Sequence, residues 1–219
     1  MHKIVNNLIE IENQLKDLGE NNLEKGVKII AVSKTFPLTN IMPLINHYHV
    51  HFGENKIQEA TEKWTDVKND FPNLKLHMLG KIQTNKVKYL LPLFDFVHSL
   101  DNLKLAKKIA SEEKKKNKKL KIFIQVNIGN EDQKNGVEIK NLENFYKECT
   151  EVLNLNIIGL MCLPPQSSNP DKHFMVLNEY AKKLNLYELS MGMSGDYTSA
   201  VKCGSTYIRV GSKIFGSRN

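Results

Sequence analysis

Short apolar runs alternate along this chain with longer stretches whose apolar residues recur every three or four positions, from one end to the other. The first stretch, with Ile4, Leu8, Ile11, Leu15 and Leu18 at helical spacing, predicts an N-terminal amphipathic helix. Eight strand candidates follow: Val27–Ser33, His49–Phe52, Lys75–Leu79, Phe94–His98, Lys121–Asn127, Asn156–Met161, Tyr187–Met191 and Thr206–Val210. Helical spacing fills the intervals, most clearly over 57–68, 103–118, 142–152 and 173–184. Runs rich in β-branched residues and nearly continuous in apolar character, separated by helices, predict parallel strands buried on both faces. Eight such units in 219 residues predict a closed (β/α)8 barrel, with the first helix as an extra element and residues 1–219 as a single domain. An open, doubly wound sheet is the other arrangement that this alternation suits.

A barrel gathers its functional groups where strands end and loops begin, on the C-terminal face. The residues at those ends include Lys34, Asn55, His77, Gly80, Ser99, Asp101, Asn127, Ser190, Ser194 and Arg209. Lys34 follows the first strand directly. An amine at the mouth of an apolar barrel is partly desolvated, which favours its neutral, nucleophilic form and suits capture of an aldehyde. By position alone, in a chain this rich in lysine, a side chain that snorkels to solvent is the more ordinary reading. Arg209 and Gly211 are two apart on the last strand and point to one side. Gly211-Ser212 then opens a short terminal helix whose free N–H groups suit a phosphate, although a plain turn would read the same way. Ser194, in the preceding strand's loop, is either an ordinary helix cap or a hydroxyl donor to that anion.

Composition adds exclusions. The hydrophobic fraction is 41% and the charged fraction 25%, ordinary for a globular chain that needs no staples. Cys149, Cys162 and Cys203 have no framework spacing, which predicts reduced thiols and a cytoplasmic setting. No apolar run follows the N-terminal charge, and none is long enough to span a membrane, so neither a signal peptide nor a membrane partner is expected. The net charge of +7 raises the question of nucleic acid. Much of the excess lies in Lys114-Lys115-Lys116-Asn117-Lys118-Lys119, with no aromatic residue interleaved, and arginine occurs only at positions 209 and 218. That pattern predicts a solvated helix end, with no nucleic acid as partner.

Several segments taken together resemble the pyridoxal-phosphate homeostasis protein family. They are Ala31-Val32-Ser33-Lys34-Thr35, Phe52 to Glu59 (FGENKIQE), His77 to Lys86 (HMLGKIQTNK), His98-Ser99-Leu100-Asp101 and Gln125-Val126-Asn127-Ile128. Gly159-Leu160-Met161, Leu189 to Ser194 (LSMGMS) and Ile208 to Gly216 (IRVGSKIFG) continue the series in order. The resemblance spans the chain after the first helix. It implies a barrel like the N-terminal domain of alanine racemase, with pyridoxal 5′-phosphate as cofactor. It implies further that Lys34 carries the cofactor as an imine and that Ser194, Gly211 and Ser212 hold the phosphate. Arg209 would face the pyridine nitrogen, and Asn55 and the His77-Met78 strand end would line the ring. It implies a role in control of cofactor levels without established catalytic turnover; the expected setting is cytoplasmic, the expected form a monomer or weak dimer, and the expected partners the cofactor and the apo-enzymes that receive it. Two features depart from the family pattern: Phe36 stands where many members have a second lysine, and Pro164 to Tyr187 is short.

Two other function classes bear comparison. A pyridoxal-phosphate-dependent racemase or lyase needs a second acid/base opposite Lys34, for which His77 and Asp101 are the candidates. A nucleic-acid-binding basic protein would rest on charge alone, since no reading motif is present.

Overall fold

The computed structural model describes residues 2–18, 26–129, 135–165 and 169–217. In its first half the chain runs α1 (Lys3–Asp17), β1 (Lys28–Val32), α2 (Leu38–Asn46), β2 (His51–Glu54), α3 (Ile57–Asp70), β3 (Lys75–Met78), α4 (Val87–Leu93), β4 (Phe96–Leu100) and α5 (Leu103–Lys116). It continues with β5 (Lys121–Asn127), β6 (Val137–Glu138), α6 (Leu142–Lys147), β7 (Ile157–Cys162), α7 (Pro170–Lys183), β8 (Glu188–Ser190), α8 (Tyr197–Lys202), β9 (Tyr207–Val210) and α9 (Ser212–Phe215). The strands pair in parallel in the order β4-β3-β2-β1-β9-β8-β7-β5, and β4 pairs with β5 to close the ring. The expected eight-stranded barrel is therefore present. The unexpected β6 adds two residues beside the end of β5, at Val126↔Val137 and Asn127↔Glu138.

Period-two alternation sorts each strand's side chains to the two sides of the barrel wall. Ile29, Ala31, Phe52, Leu76, Met78, Ile122, Ile124, Ile208 and Val210 belong to the larger apolar cluster shared with the helices. Ile30, Phe96, Phe123, Met161 and Tyr207 form a second cluster within the barrel, so its interior is packed. On the β9 side the terminal helix α9 has four residues, about 6 Å of cover at 1.5 Å each. The fifteen-residue α1 lies against it, burying Ile4, Val5, Leu8, Ile11 and Leu15. Asn7 Nδ2 donates to Ile214 O at 2.8 Å, and the Tyr197 hydroxyl donates to Gln14 Oε1. This explains why the fold carries a helix ahead of its first strand.

Strand starts differ from the sequence expectation at two places, for one reason. The N–H of His49 donates to Leu44 O and that of Phe94 to Leu90 O, so both residues still close the preceding helix. Those helices, α2 and α4, contain Pro43 and Pro92 and are short, which masks their helical spacing. The helix expected over 142–152 divides into α6 and a wider-wound turn at Glu148–Val152.

The lysine cluster closes a helix. Asn117 takes the left-handed conformation (φ 47°) after the last turn of α5, where Lys114, Lys115 and Lys116 favour the negative end of the dipole. Lys118 Nζ donates to Leu91 O and Phe94 O, and Lys119 Nζ pairs with Glu113 at 3.1 Å. Cys149, Cys162 and Cys203 are free thiols, and burial pushes the first two up to about 12. Among the described residues no helix is long and apolar enough to cross a membrane.

Candidate functional site

A cavity of about 550 Å³ opens at the C-terminal mouth of the barrel. Val32, Leu79, Met161, Leu163 and Met193 give it apolar walls. Lys34, Asn55, Ser194, Arg209, Gly211 and Ser212 supply its polar groups, so six of the seven residues singled out from the sequence meet here. The seventh, His77, does not line the cavity. Inward positions alternate along β3 and into the residue after it, so Leu79 reaches the cavity and His77 lies two residues, about 7 Å, deeper. Phe36 also borders the cavity, stacked on Phe215 with ring centroids 4.9 Å apart.

Lys34 sits in the turn after β1, and its neighbours fix that turn. Phe36 N–H donates to Ser33 O at 3.1 Å, and Thr35 has φ 69°, a conformation that a β-branched residue rarely adopts. The Thr35 N–H is held by Glu59 Oε1 at 2.6 Å. Lys63 Nζ donates to Ser33 O, Glu54 Oε1 and Glu59 Oε1 at 3.0, 3.0 and 3.1 Å. Glu54 is fully buried and also accepts from the Ser33 hydroxyl and Trp64 Nε1. Burial alone would raise the Glu59 pKa, but the bonds from Thr35 and Lys63 outweigh it and the net shift is downward. Strain at one residue beside Lys34 is thus offset by a charged network behind the wall.

Across the mouth, the Gly211 and Lys213 N–H groups both point at the Ser194 hydroxyl oxygen, at 3.3 and 3.4 Å. Gly195 borders the cavity, and a Cβ there would have nothing within 4 Å. The arrangement offers two backbone donors, a hydroxyl and space for an anion. The Ser194 loop leaves β8 through Gly192 (φ 90°), where a Cβ would come within 2.6 Å of the Ala200 Cβ. On the opposite side Gly80 is needed for close approach, since its Cβ would lie 2.1 Å from Asn55 O. That contact holds the Asn55 loop at the mouth.

Arg209 is 5% exposed and forms the floor. Its Nη1 donates to Ser190 Oγ at 2.6 Å and its Nη2 to Cys162 O at 2.9 Å. Among the described residues no carboxylate forms an ion pair with it. Burial lowers its pKa, yet a guanidinium stays protonated in proteins, so the floor carries a buried positive charge. Below it lie His98, His77 and His51, with His77 stacked on Phe96 (4.2 Å) and His98 on Phe123 (4.3 Å).

Burial holds these histidines and the nearby His49 neutral: His49 and His51 are lowered to about 4, and His77 and His98 well below their ordinary value. The unfolded chain therefore binds more protons than the folded one between pH 6.5 and about 4. Stability is expected to be fully present above pH 6.5 and to fall on acidification through that window, by ~1.4 kcal/mol per pH unit for each excess proton. Urea unfolding at a series of pH values checks this; a flat profile from pH 7 to 5 would contradict it.

Sequence reasoning assigns no role to Glu59, Lys63, His51 or His98, and it suggests His77 as a ring-lining residue, apart from the other two histidines. The available signal was one histidine in each of three successive strand runs, at 51, 77 and 98.

A barrel of parallel strands with a lysine after the first and backbone N–H groups gathered at a serine hydroxyl after the last two defines the class. The chain belongs to the family of the alanine racemase N-terminal domain, matched over residues 7–219. It is 34% identical to the pyridoxal phosphate homeostasis protein of Haemophilus influenzae, over 97% of this chain and 94% of that protein. It is 37% identical to the protein of the same name from Aquifex aeolicus, over 89% of each. The solved structure of PipY from Synechococcus elongatus with PLP bound superposes with a TM-score of 0.86, at 31% identity, covering 97% of this chain and all of that one. This is the family to which the sequence motifs pointed.

Proposed function

We propose that this protein holds pyridoxal 5′-phosphate in the mouth cavity as a cytoplasmic carrier and regulator of cofactor supply. The observation that carries the reading is the meeting of Lys34, Arg209, Ser194, Gly211 and Ser212 around one cavity with apolar walls, with the Gly211 and Lys213 N–H groups turned to the Ser194 hydroxyl. Each group matches one part of the cofactor. The Lys34 amine suits the aldehyde, joining it as an imine with loss of water. The Ser194 hydroxyl, with the Gly211 and Lys213 N–H groups and Ser212 beside them, suits the phosphate. Leu79, Met161 and Val32 suit the faces of the ring, with Asn55 at its edge. Arg209 can only donate, so it suits an unprotonated ring nitrogen. Bound in this way, the cofactor supplies a weaker electron sink than one whose ring nitrogen is paired with a carboxylate.

A racemase or lyase needs a second acid/base facing the cofactor. Lys34 and Arg209 are the charged side chains that line the cavity among the described residues. Asp101 accepts from Asn102 and His77 lies in the barrel interior, and neither borders the cavity. Storage and delivery, with apo-enzymes as recipients and a monomer or weak dimer as the working form, fit this site better than inversion of a stereocentre.

Adding pyridoxal 5′-phosphate to the purified protein is expected to give a stoichiometric, absorbing complex that survives desalting. Ser194→Ala should weaken it by about 1–2 kcal/mol, one hydrogen bond to a charged group. Equal affinity in variant and parent would remove Ser194 from the phosphate site. If neither protein retains the cofactor, the reading itself fails.

A further inference from the structure

Three histidines inside the barrel have no part in the site as described so far, yet they are joined end to end beneath it. His51 Nδ1 lies 2.9 Å from His77 Nε2, His77 Nδ1 lies 2.9 Å from His98 Nε2, and His98 Nδ1 lies 2.8 Å from Ser190 Oγ. Ser190 Oγ in turn meets Arg209 Nη1.

The direction of this chain follows from its upper end. A guanidinium has donors and no acceptor, so Arg209 must donate to Ser190 Oγ. The Ser190 proton then has His98 Nδ1 as its partner, and Nδ1 must be the bare nitrogen of that ring. His98 therefore carries its proton on Nε2 and donates to His77 Nδ1, and His77 donates from Nε2 to His51 Nδ1. Reversing the chain would leave the Ser190 proton buried with no partner, which is costly in a dry interior. Reversing one link would set two N–H groups or two lone pairs face to face. Ser190, His77 and His98 are each 0% exposed, so water does not relieve either error. Ring stacking on Phe96 and Phe123 restricts rotation of His77 and His98.

We propose that Ser190, His98, His77 and His51 act together as positioning residues: a one-directional hydrogen-bond column that fixes the guanidinium of Arg209 at the cavity floor. Ser190 presents an oxygen to Arg209 because its only proton is drawn downward by His98, and His98 can draw it because His77 accepts the next one. Arg209 is thereby held from below, and its remaining donors are aimed upward at the ligand. The inference rests on the cofactor reading only where it names what those donors meet.

The test separates the two claims. In cofactor-free, ¹⁵N-labelled protein, two-bond ¹⁵N–¹H spectra are expected to show His51, His77 and His98 all neutral and all protonated on Nε2. The Arg209 Nε proton is expected to exchange slowly. Ser190→Ala should release the His98 tautomer and speed that exchange by roughly tenfold, the factor that ~1.4 kcal/mol represents. With pyridoxal 5′-phosphate added, the same variant should shift the absorption maximum of the bound form and bind about tenfold more weakly. A parent protein with His98 protonated on Nδ1 would overturn the column, and that measurement needs no variant. A variant with a released tautomer but unchanged Arg209 exchange would overturn the positioning role. If the parent takes up no cofactor, the cofactor reading fails while the tautomer and exchange results still decide this one.

Discussion

Lys34→Ala is expected to abolish covalent retention of pyridoxal 5′-phosphate while leaving the barrel folded. In the parent, borohydride should fix the cofactor to one tryptic peptide, the one containing Lys34, although the chain is rich in lysine. Selectivity of this kind requires that one amine be held beside an aldehyde whose phosphate is docked elsewhere, so that capture is effectively intramolecular. The Lys34 turn meets that requirement. Ser33 O is pinned by Lys63 and the Thr35 N–H by Glu59, which leaves the side chain between them little choice of direction. The alanine variant keeps the Ser194 and Arg209 contacts, so weak, reversible binding without the imine absorption should remain. Its stability should change by less than about 1 kcal/mol, as is usual for a partly exposed turn position. Label appearing on another lysine, with Lys34 unmodified, would sink the assignment.

Lys63→Met should have the largest effect on stability, a loss of about 3–5 kcal/mol by urea unfolding, because it strands the carboxylate of Glu54. Glu54 and Lys63 side chains are 0% and 9% exposed, and their 3.0 Å contact is part of a network that also includes Ser33, Glu59 and Trp64. Removing the cation leaves a buried charge whose donors among the described residues are the Ser33 hydroxyl and the Trp64 N–H. Replacing both partners with apolar residues should cost less than the single change, since no unpaired charge is then left. Lys63→Met should also weaken cofactor retention, because Thr35 (φ 69°) loses part of what holds its strained backbone. A loss below about 1 kcal/mol would mean that the network is screened by solvent and does not anchor the turn.

Legibility of this protein in its sequence followed the range of the forces involved. Strand cores were readable because Ile29, Ile30 and Ala31, or Ile122, Phe123 and Ile124, are buried whichever way they face. Helices with uninterrupted spacing, such as α3 and α5, were readable for the same local reason. The prolines in α2 and α4 hid two helices, and β6 has too few residues to show alternation. At the site, Lys34, Ser194, Arg209, Gly211 and Ser212 stood out because strand-end position and motif coincide. His77, expected at the strand end, lies one layer below the cavity. A motif gives the strand end, but the depth of a residue depends on how far its neighbours continue toward the mouth.

What the amino-acid order settled by itself was the repeating unit: an apolar strand, an amphipathic helix, and a polar residue where one gives way to the other. That information is local, because burial periodicity is written every two or every 3.6 residues. Closure was decided only in three dimensions, by the pairing of Phe96 with Lys121 across the seam. So were the column from His51 to Arg209 and the anchoring of Thr35 by Glu59, 24 residues away. These depend on partners from different strands and helices meeting within about 3 Å, a distance that packing of the whole barrel sets.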